Sequence, residues 1–141
     1  MDKHDSKTRS YNMSKIRSSD TKPEQIVRKY LFSKGLRYRK NVRNLPGCPD
    51  IVLKKYNTVV FVNGCFWHKH EGCSKFVWPS SNENYWKKKI LGNVKRDEEN
   101  YAKLRDLGWN IVTVWECELK KPVREQTLSN LYIKIISQRR D

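Results

Sequence analysis

At 141 residues, with 30 Lys or Arg against 15 Asp or Glu, the chain has the length of one domain and a formal net charge of +15. An excess of that size repels itself in a compact fold and implies a polyanionic partner, nucleic acid first among them. Aromatic residues make up 11% of the chain, which excludes a disordered basic tail. The lack of any apolar run of about 18 residues, and a polar start (MDKHDSKTRS), exclude a membrane span and export and point to the cytoplasm.

Residues 1–20, rich in Ser, Lys, Arg and Asp, read as a basic N-terminal arm, and 21–141 as a single domain. Thr21-Lys22-Pro23-Glu24 has the spacing of a capping box, with Pro23 in the first turn where its missing N–H costs nothing. Ile26, Val27, Tyr30 and Leu31 then recur at helical spacing until Gly35. Arg37 to Lys40 reads as a short strand, Leu45 to Pro49 as a rigid turn, and Asp50 to Leu53 as a second strand. Thr58 to Val62 is a continuous apolar run, as expected of a buried central strand. The short connection from the preceding strand predicts antiparallel pairing.

Asn82 to Gly108 reads as one long helix. At about 100° per residue, Trp86, Ile90, Val94, Tyr101 and Leu104 fall within an arc of about 80°, and Asp97 falls inside the same arc. Trp109 to Trp115 predicts a further strand, and Thr127 to Ile136 a closing amphipathic helix. The order predicts an α/β (α+β) domain whose mixed sheet is covered by helices on both faces.

Four features carry chemistry. Asp50, at the start of a strand, is either a turn residue or a carboxylate placed to hold a hard cation such as Mg²⁺ against a phosphate. Cys65, His70, Cys73 and the distant Cys117 make a Cys₃His set suited to tetrahedral Zn²⁺; the bland alternative is that they pack as small hydrophobes. His68, left over between two of them, can serve as a general base near neutral pH. Phe66, Trp67 and Trp86 are either core or aromatics for stacking on bases. Lys69 and Lys75 nearby favour exposure of Phe66 and Trp67 at a loop tip. Asp97 in an apolar stripe must be paired, metal-bound, or employed in orienting a catalytic His. Glu24 is a capping-box partner or a second carboxylate of the same centre.

Taken in order, these residues resemble the very short patch repair endonucleases, bacterial nucleases that nick DNA beside a T·G mismatch. The resemblance runs from His4 to about Leu119. It rests on T-R-S-x-N-M (Thr8 to Met13), the Glu24 helix and L-P-G-x-P-D (Leu45 to Asp50). It continues through G-C-F-W-H-x-H (Gly64 to His70), K-x-x-x-N-V-x-R-D (Lys89 to Asp97) and L-G-W…V-W-E-C (Leu107 to Cys117).

The resemblance implies a restriction-endonuclease-like fold with a structural Zn²⁺ site at Cys65, His70, Cys73 and Cys117. It implies catalytic Mg²⁺ at Asp50 and the carbonyl of Val62, a position where the family often has Thr. His68 becomes the residue that activates water, Asp97 its partner and Glu24 an outer member of the centre. Phe66, Trp67 and Trp86 match an intercalating wedge. Met13 and the basic arm approach DNA from the opposite groove, and Lys89 and Asn93 read the mismatched pair. The partner implied is double-stranded DNA with a T·G mismatch, met by a monomer, with room for a partner protein from mismatch repair. Glu71-Gly72 lengthens the zinc loop by one residue, and Cys48 has no matching role. A restriction or homing-type endonuclease cutting matched DNA is the rival reading among enzymes, and a zinc-stabilised DNA-binding module the rival of another class.

Overall fold

The computed structural model describes residues 21–138; Met13 and the rest of the N-terminal arm lie outside them. Helix α1, Lys22–Ser33, starts on the expected capping box. The Thr21 hydroxyl accepts from the Glu24 N–H at 3.4 Å, and the Glu24 carboxylate accepts from the Thr21 N–H at 3.0 Å. It stops where Gly35 takes φ +81° and the Leu36 N–H turns back to the Leu31 carbonyl at 3.1 Å.

Four strands form one sheet in the order β1 (Arg39–Lys40), β2 (Ile51–Leu53), β3 (Thr58–Asn63), β4 (Asn110–Trp115). The pairs β1–β2 and β2–β3 are antiparallel, as the short connection implies, and β3–β4 is parallel. A parallel pair needs a crossover, and the long helix α2, Glu83–Asp106, supplies it. The first strand is shorter than expected, because residues 37 and 38 lie beyond its ladder with β2.

Alternation along the strands sorts the core into two layers. Ile51, Leu53 and Val60 pack with Val27 and Leu31 of α1 and with Leu128, Leu131 and Ile135 of the last helix. Val52, Val59 and Phe61 pack on the opposite face with Leu104 of α2. That last helix, α3, spans Lys121–Ile136 and so begins six residues before the expected Thr127. Its first turn holds Pro122 and an exposed Val123, so it carries no apolar signal, although proline is well tolerated there.

Gly47 sets the turn that delivers β2. It sits at φ +76°, and a Cβ there would lie 3.2 Å from the Asn100 Cβ and 3.3 Å from the Phe61 ring. Gly35 shares the left-handed backbone but has nothing within 4 Å. Gly35→Ala is expected to cost about 1–2 kcal/mol, the left-handed penalty alone. Gly47→Ala adds crowding between α2 and β3 and is expected to cost more. Urea unfolding midpoints of the two variants check this, and equal losses would refute it.

Candidate active site and metal centre

Asp50 immediately precedes β2. The β2–β3 register pairs Ile51 with Val60, so continuing it sets Pro49 across from Val62. Proline has no N–H to offer the Val62 carbonyl. The Val62 N–H, for its part, donates to the Asp50 carboxylate at 2.7 Å rather than to a neighbouring strand. A strand residue's N–H and C=O point to the same edge, so the Val62 carbonyl faces the side where Asp50 lies. Carboxylate and carbonyl oxygens are the donors a hard divalent cation takes.

Glu24 is buried beside Asp50. Its carboxylate accepts from the Thr21 N–H (3.0 Å) and hydroxyl (2.9 Å) and from the Asn41 amide (3.2 Å), with the Arg28 guanidinium at 3.6 Å. Glu24 is therefore both the capping-box partner and a member of the cleft. Burial pushes the Asp50 carboxyl up to about 7. The neighbouring Glu24 adds to the rise, and the hydrogen bond from Val62 works against it.

His68 and Asp97 reach the same place from opposite directions. The turn after β3 brings in His68, whose N–H bonds the Gly64 carbonyl at 3.2 Å, while Asp97 projects from α2. The His68 Nδ1 and Asp97 Oδ2 lie 2.6 Å apart. The apolar stripe of α2 therefore covers the sheet only in part: Ile90 and Leu104 are fully buried, and Asp97 between them faces a cleft. That cleft, of about 730 Å³, is lined by Glu24, Asp50, Val62, His68, Asn93 and Asp97 among others. Lys89 is half-buried and does not line it, and the Asn93 amide donates to the Trp67 carbonyl at 3.0 Å.

Cys65, His70, Cys73 and Cys117 converge, with ligand atoms all within 4.8 Å of one another, so they can hold a metal ion. The Cys117 sulfur lies 3.5 Å from the His70 Nδ1. A tetrahedral ion with S and N bonds of about 2.3 and 2.0–2.1 Å spans about 3.5 Å between those atoms. The His70 ring is stacked on Trp115 at 4.0 Å and 6°, which fixes its orientation. Gly72, at φ +73°, puts the loop between His70 and Cys73 into a left-handed turn. Burial pushes the Cys65 thiol up to about 12, while the Lys75 N–H lowers Cys73. A bound cation is what would hold these sulfurs as thiolates. Cys48 is exposed at the cleft mouth and belongs to neither group.

Phe66 and Trp67 are half-buried, which corrects the expected exposure. They pack on each other (ring centroids 5.2 Å apart), on Trp86 (5.5 and 6.0 Å) and, through Phe66, on Phe76 (5.9 Å), outside both core layers. Aromatics covering one another satisfy burial without joining the sheet.

Three residues of the site were not singled out from the sequence. Arg28 stands one turn after Glu24, a helical spacing that was open to reading. Glu116, next to Cys117, accepts the Cys65 N–H at 3.1 Å and also lines the cleft. Asn41 joins the Glu24 carboxylate to the Asp50 carbonyl, to which its own N–H donates at 3.0 Å, and no local pattern signals it.

A profile of the family described as DNA mismatch endonuclease Vsr matches residues 1–75. The type II nicking enzyme V.NmeAIP of Neisseria meningitidis serogroup A is 49% identical over 128 residues, covering 90% of this chain and 91% of that protein. The DNA mismatch endonuclease Vsr of Escherichia coli K12 is 42% identical over 119 residues, 84% of this chain and 76% of its own. The type II nicking enzyme V.XorIIP of Xanthomonas oryzae is 46% identical over 111 residues, covering 79% and 81%.

The Asp50 shift sets a pH signature. A carboxyl raised from 3.8 to about 7 binds its proton more tightly when folded, so its contribution to stability is present at low pH and is lost as pH rises toward 7. Without added divalent metal, Asp50→Asn is expected to gain stability relative to the wild type as pH climbs from about 4 to above 7. Melting curves of both proteins across that range test it; a gap that does not change with pH would rule the shift out.

Proposed function

Because this chain belongs to the DNA mismatch endonuclease Vsr family, the very short patch repair nucleases, we propose that it nicks one strand of duplex DNA 5′ to the T of a T·G mismatch. That it is a DNA endonuclease follows from the family; the mismatch, the metals and the residue roles are our reading. The observation that carries it is the cleft in which Asp50, Glu24 and Val62 face the His68–Asp97 pair. A carboxylate at the mouth of an antiparallel pair in a helix-covered mixed sheet supports a restriction-endonuclease-like core. In this reading residues 21–141 form the nuclease domain, and residues 1–20, with Met13, form a DNA-contacting arm. The protein acts as a monomer in the bacterial cytoplasm. No helix among the described residues is long and apolar enough to cross a membrane.

The oxygen donors of Asp50 and Val62 suit Mg²⁺, which when bound would neutralise the scissile phosphate and polarise its water. The chain's own residues do the rest. Asp97 holds the His68 Nδ1, which leaves Nε2 to take a proton from water. The water oxygen attacks phosphorus in line, the bond to the 3′ oxygen breaks, and that oxygen takes a proton from solvent, so that the products are a 3′ hydroxyl and a 5′ phosphate. Glu24, held by Thr21, Asn41 and Arg28, keeps Asp50 oriented.

Phe66, Trp67 and Trp86 act as the wedge: a T·G pair is a weak point in the stack, so unstacking beside it costs least. Asn93 and Lys89 meet the mismatched pair. Basic residues supply sequence-blind, salt-sensitive affinity. The Cys₃His donor set suits Zn²⁺ and serves the fold.

Asp50→Ala and His68→Ala are expected to abolish nicking of a T·G duplex while keeping its affinity within about tenfold, because binding rests on basic and aromatic surface. Asp97→Asn is expected to slow the reaction without unfolding the chain. Nicking assays on mismatched and matched duplexes in parallel decide the matter. A normal rate for His68→Ala would remove it as the base, and cleavage of both strands of matched DNA would favour a restriction-type enzyme.

Metal analysis of purified protein is expected to find one tightly held Zn²⁺ per chain, and Cys117→Ser to lose it together with thermal stability, since a structural site contributes folding free energy. Metal-free protein that melts like the loaded form would end the assignment.

A further inference from the structure

The aromatic cluster does not stop at the wedge. Phe76, which packs on Phe66 at 5.9 Å, carries Trp78 edge-on at 5.0 Å, and Tyr85 lies edge-on to Trp86 at 5.1 Å. These outer rings face solvent: Trp78 is 36% exposed and Tyr85 60%, and Val77, between Phe76 and Trp78 in the chain, is 68% exposed. Trp78 also walls a recess of about 370 Å³ with Pro79, Ser80, Glu83 and Lys87. Cations flank the row: Lys87 lines the recess, Lys75 is exposed on the loop, and Lys69, which also pairs with Glu71, lies 5.8 Å from the Phe76 ring centre.

Other exposed apolar side chains among the described residues, such as Phe32, Leu107 and Ile133, do not line the cleft. An apolar row tied to the cleft wall and bordered by lysines, on a chain of net charge +15, is complementary to DNA rather than to an apolar protein face. We propose that Trp78 and Tyr85, with Lys87, form a second DNA-contacting surface that grips the duplex on one side of the wedge. The proposal rests on the nuclease reading above and adds a flank contact to it.

The geometry sets the reach. Two ring contacts separate Trp78 from Phe66, so at about 3.4 Å per base pair the surface meets the duplex within about three base pairs of the wedge. It touches neither Asp50 nor His68, so it governs affinity and not the chemical step.

The test measures dissociation constants of the full chain, with Ca²⁺ in place of Mg²⁺ to prevent nicking. Wild type is compared with Tyr85→Ala and with Trp78→Leu, which keeps apolar packing but removes the ring. Three mismatched duplexes serve as ligands: both arms long, or one or the other arm cut to two base pairs. A matched long duplex is run beside them. On long-armed DNA, matched or mismatched, each variant is expected to bind at least about fivefold more weakly. The melting temperature and the nicking rate at saturating DNA are expected to stay as in the wild type. On one of the two shortened duplexes the difference from wild type is expected to vanish. Wild-type affinity on every duplex would overturn the proposal. So would a loss of equal size on both shortened duplexes, which would place the effect in the wedge, or a loss that tracks a fall in melting temperature. Failure of the wild type to nick the mismatched duplex would sink the nuclease reading instead, and leaves the matched-duplex comparison to decide the surface.

Discussion

The ladder between β2 and β3 cannot run past Ile51, because the next residue opposite Val62 is a proline with no N–H to give. The Val62 N–H turns to the Asp50 carboxylate instead, at 2.7 Å, and a carboxylate and a backbone carbonyl come to share one edge of the sheet. The rest of the site is arranged around that interruption. Gly47, in a left-handed turn, lets the chain enter at this spot while Asn100 and Phe61 crowd it. Asn41 ties the Asp50 carbonyl to Glu24, and the capping box of α1 fixes Glu24 in turn. A helix start, a strand edge and a turn thus meet at the half-buried Asp50 carboxyl and the buried Glu24 beside it.

The Cys/His cluster and the cleft are two ends of one short loop. Cys65 and His70 bracket His68, and Glu116 takes the Cys65 N–H while lining the cleft. A side chain on a loop is only as well placed as the loop itself. The convergence of Cys65, His70, Cys73 and Cys117, a group that can hold a metal ion, draws this loop together, and the His70–Trp115 stack anchors it to β4. His68 then needs only one further constraint, the Asp97 carboxylate from α2.

Charge divides the molecule in a way that suits its partner. Basic residues outnumber acidic ones 30 to 15, yet Glu24, Asp50 and Asp97 all line the cleft. Basic surface draws a polyanion in without regard to sequence, and local carboxylates repel it until a cation intervenes. The raised Asp50 carboxyl expresses the same tension: buried beside Glu24, its anion is disfavoured until something positive arrives.

Periodicity and punctuation were enough for the elements themselves. The capping box, the antiparallel strands 50–53 and 58–62 and the long helix over residues 82–108 are local patterns, because caps, turns and alternation act over a few residues. Asp50, His68, Asp97 and the Cys₃His set stood out as candidates, since metal and proton chemistry restrict which side chains can serve, whereas Arg28, Asn41 and Glu116 did not. Where local signal is weak, the structure departs from the pattern: α3 opens on Lys121-Pro122 with no apolar mark, and Phe66 and Trp67 cover each other instead of standing free. What only the tertiary structure decided is how closely these residues meet and what joins them. The pattern grouped Cys117 with Cys65 and the resemblance paired Asp97 with His68, but the fold sets the cluster within 4.8 Å and the pair at 2.6 Å, and brings Glu116 to the Cys65 N–H from 51 positions away. The reason is that the parallel β3–β4 pairing and its α2 crossover set those distances, and no window of neighbouring residues contains a crossover.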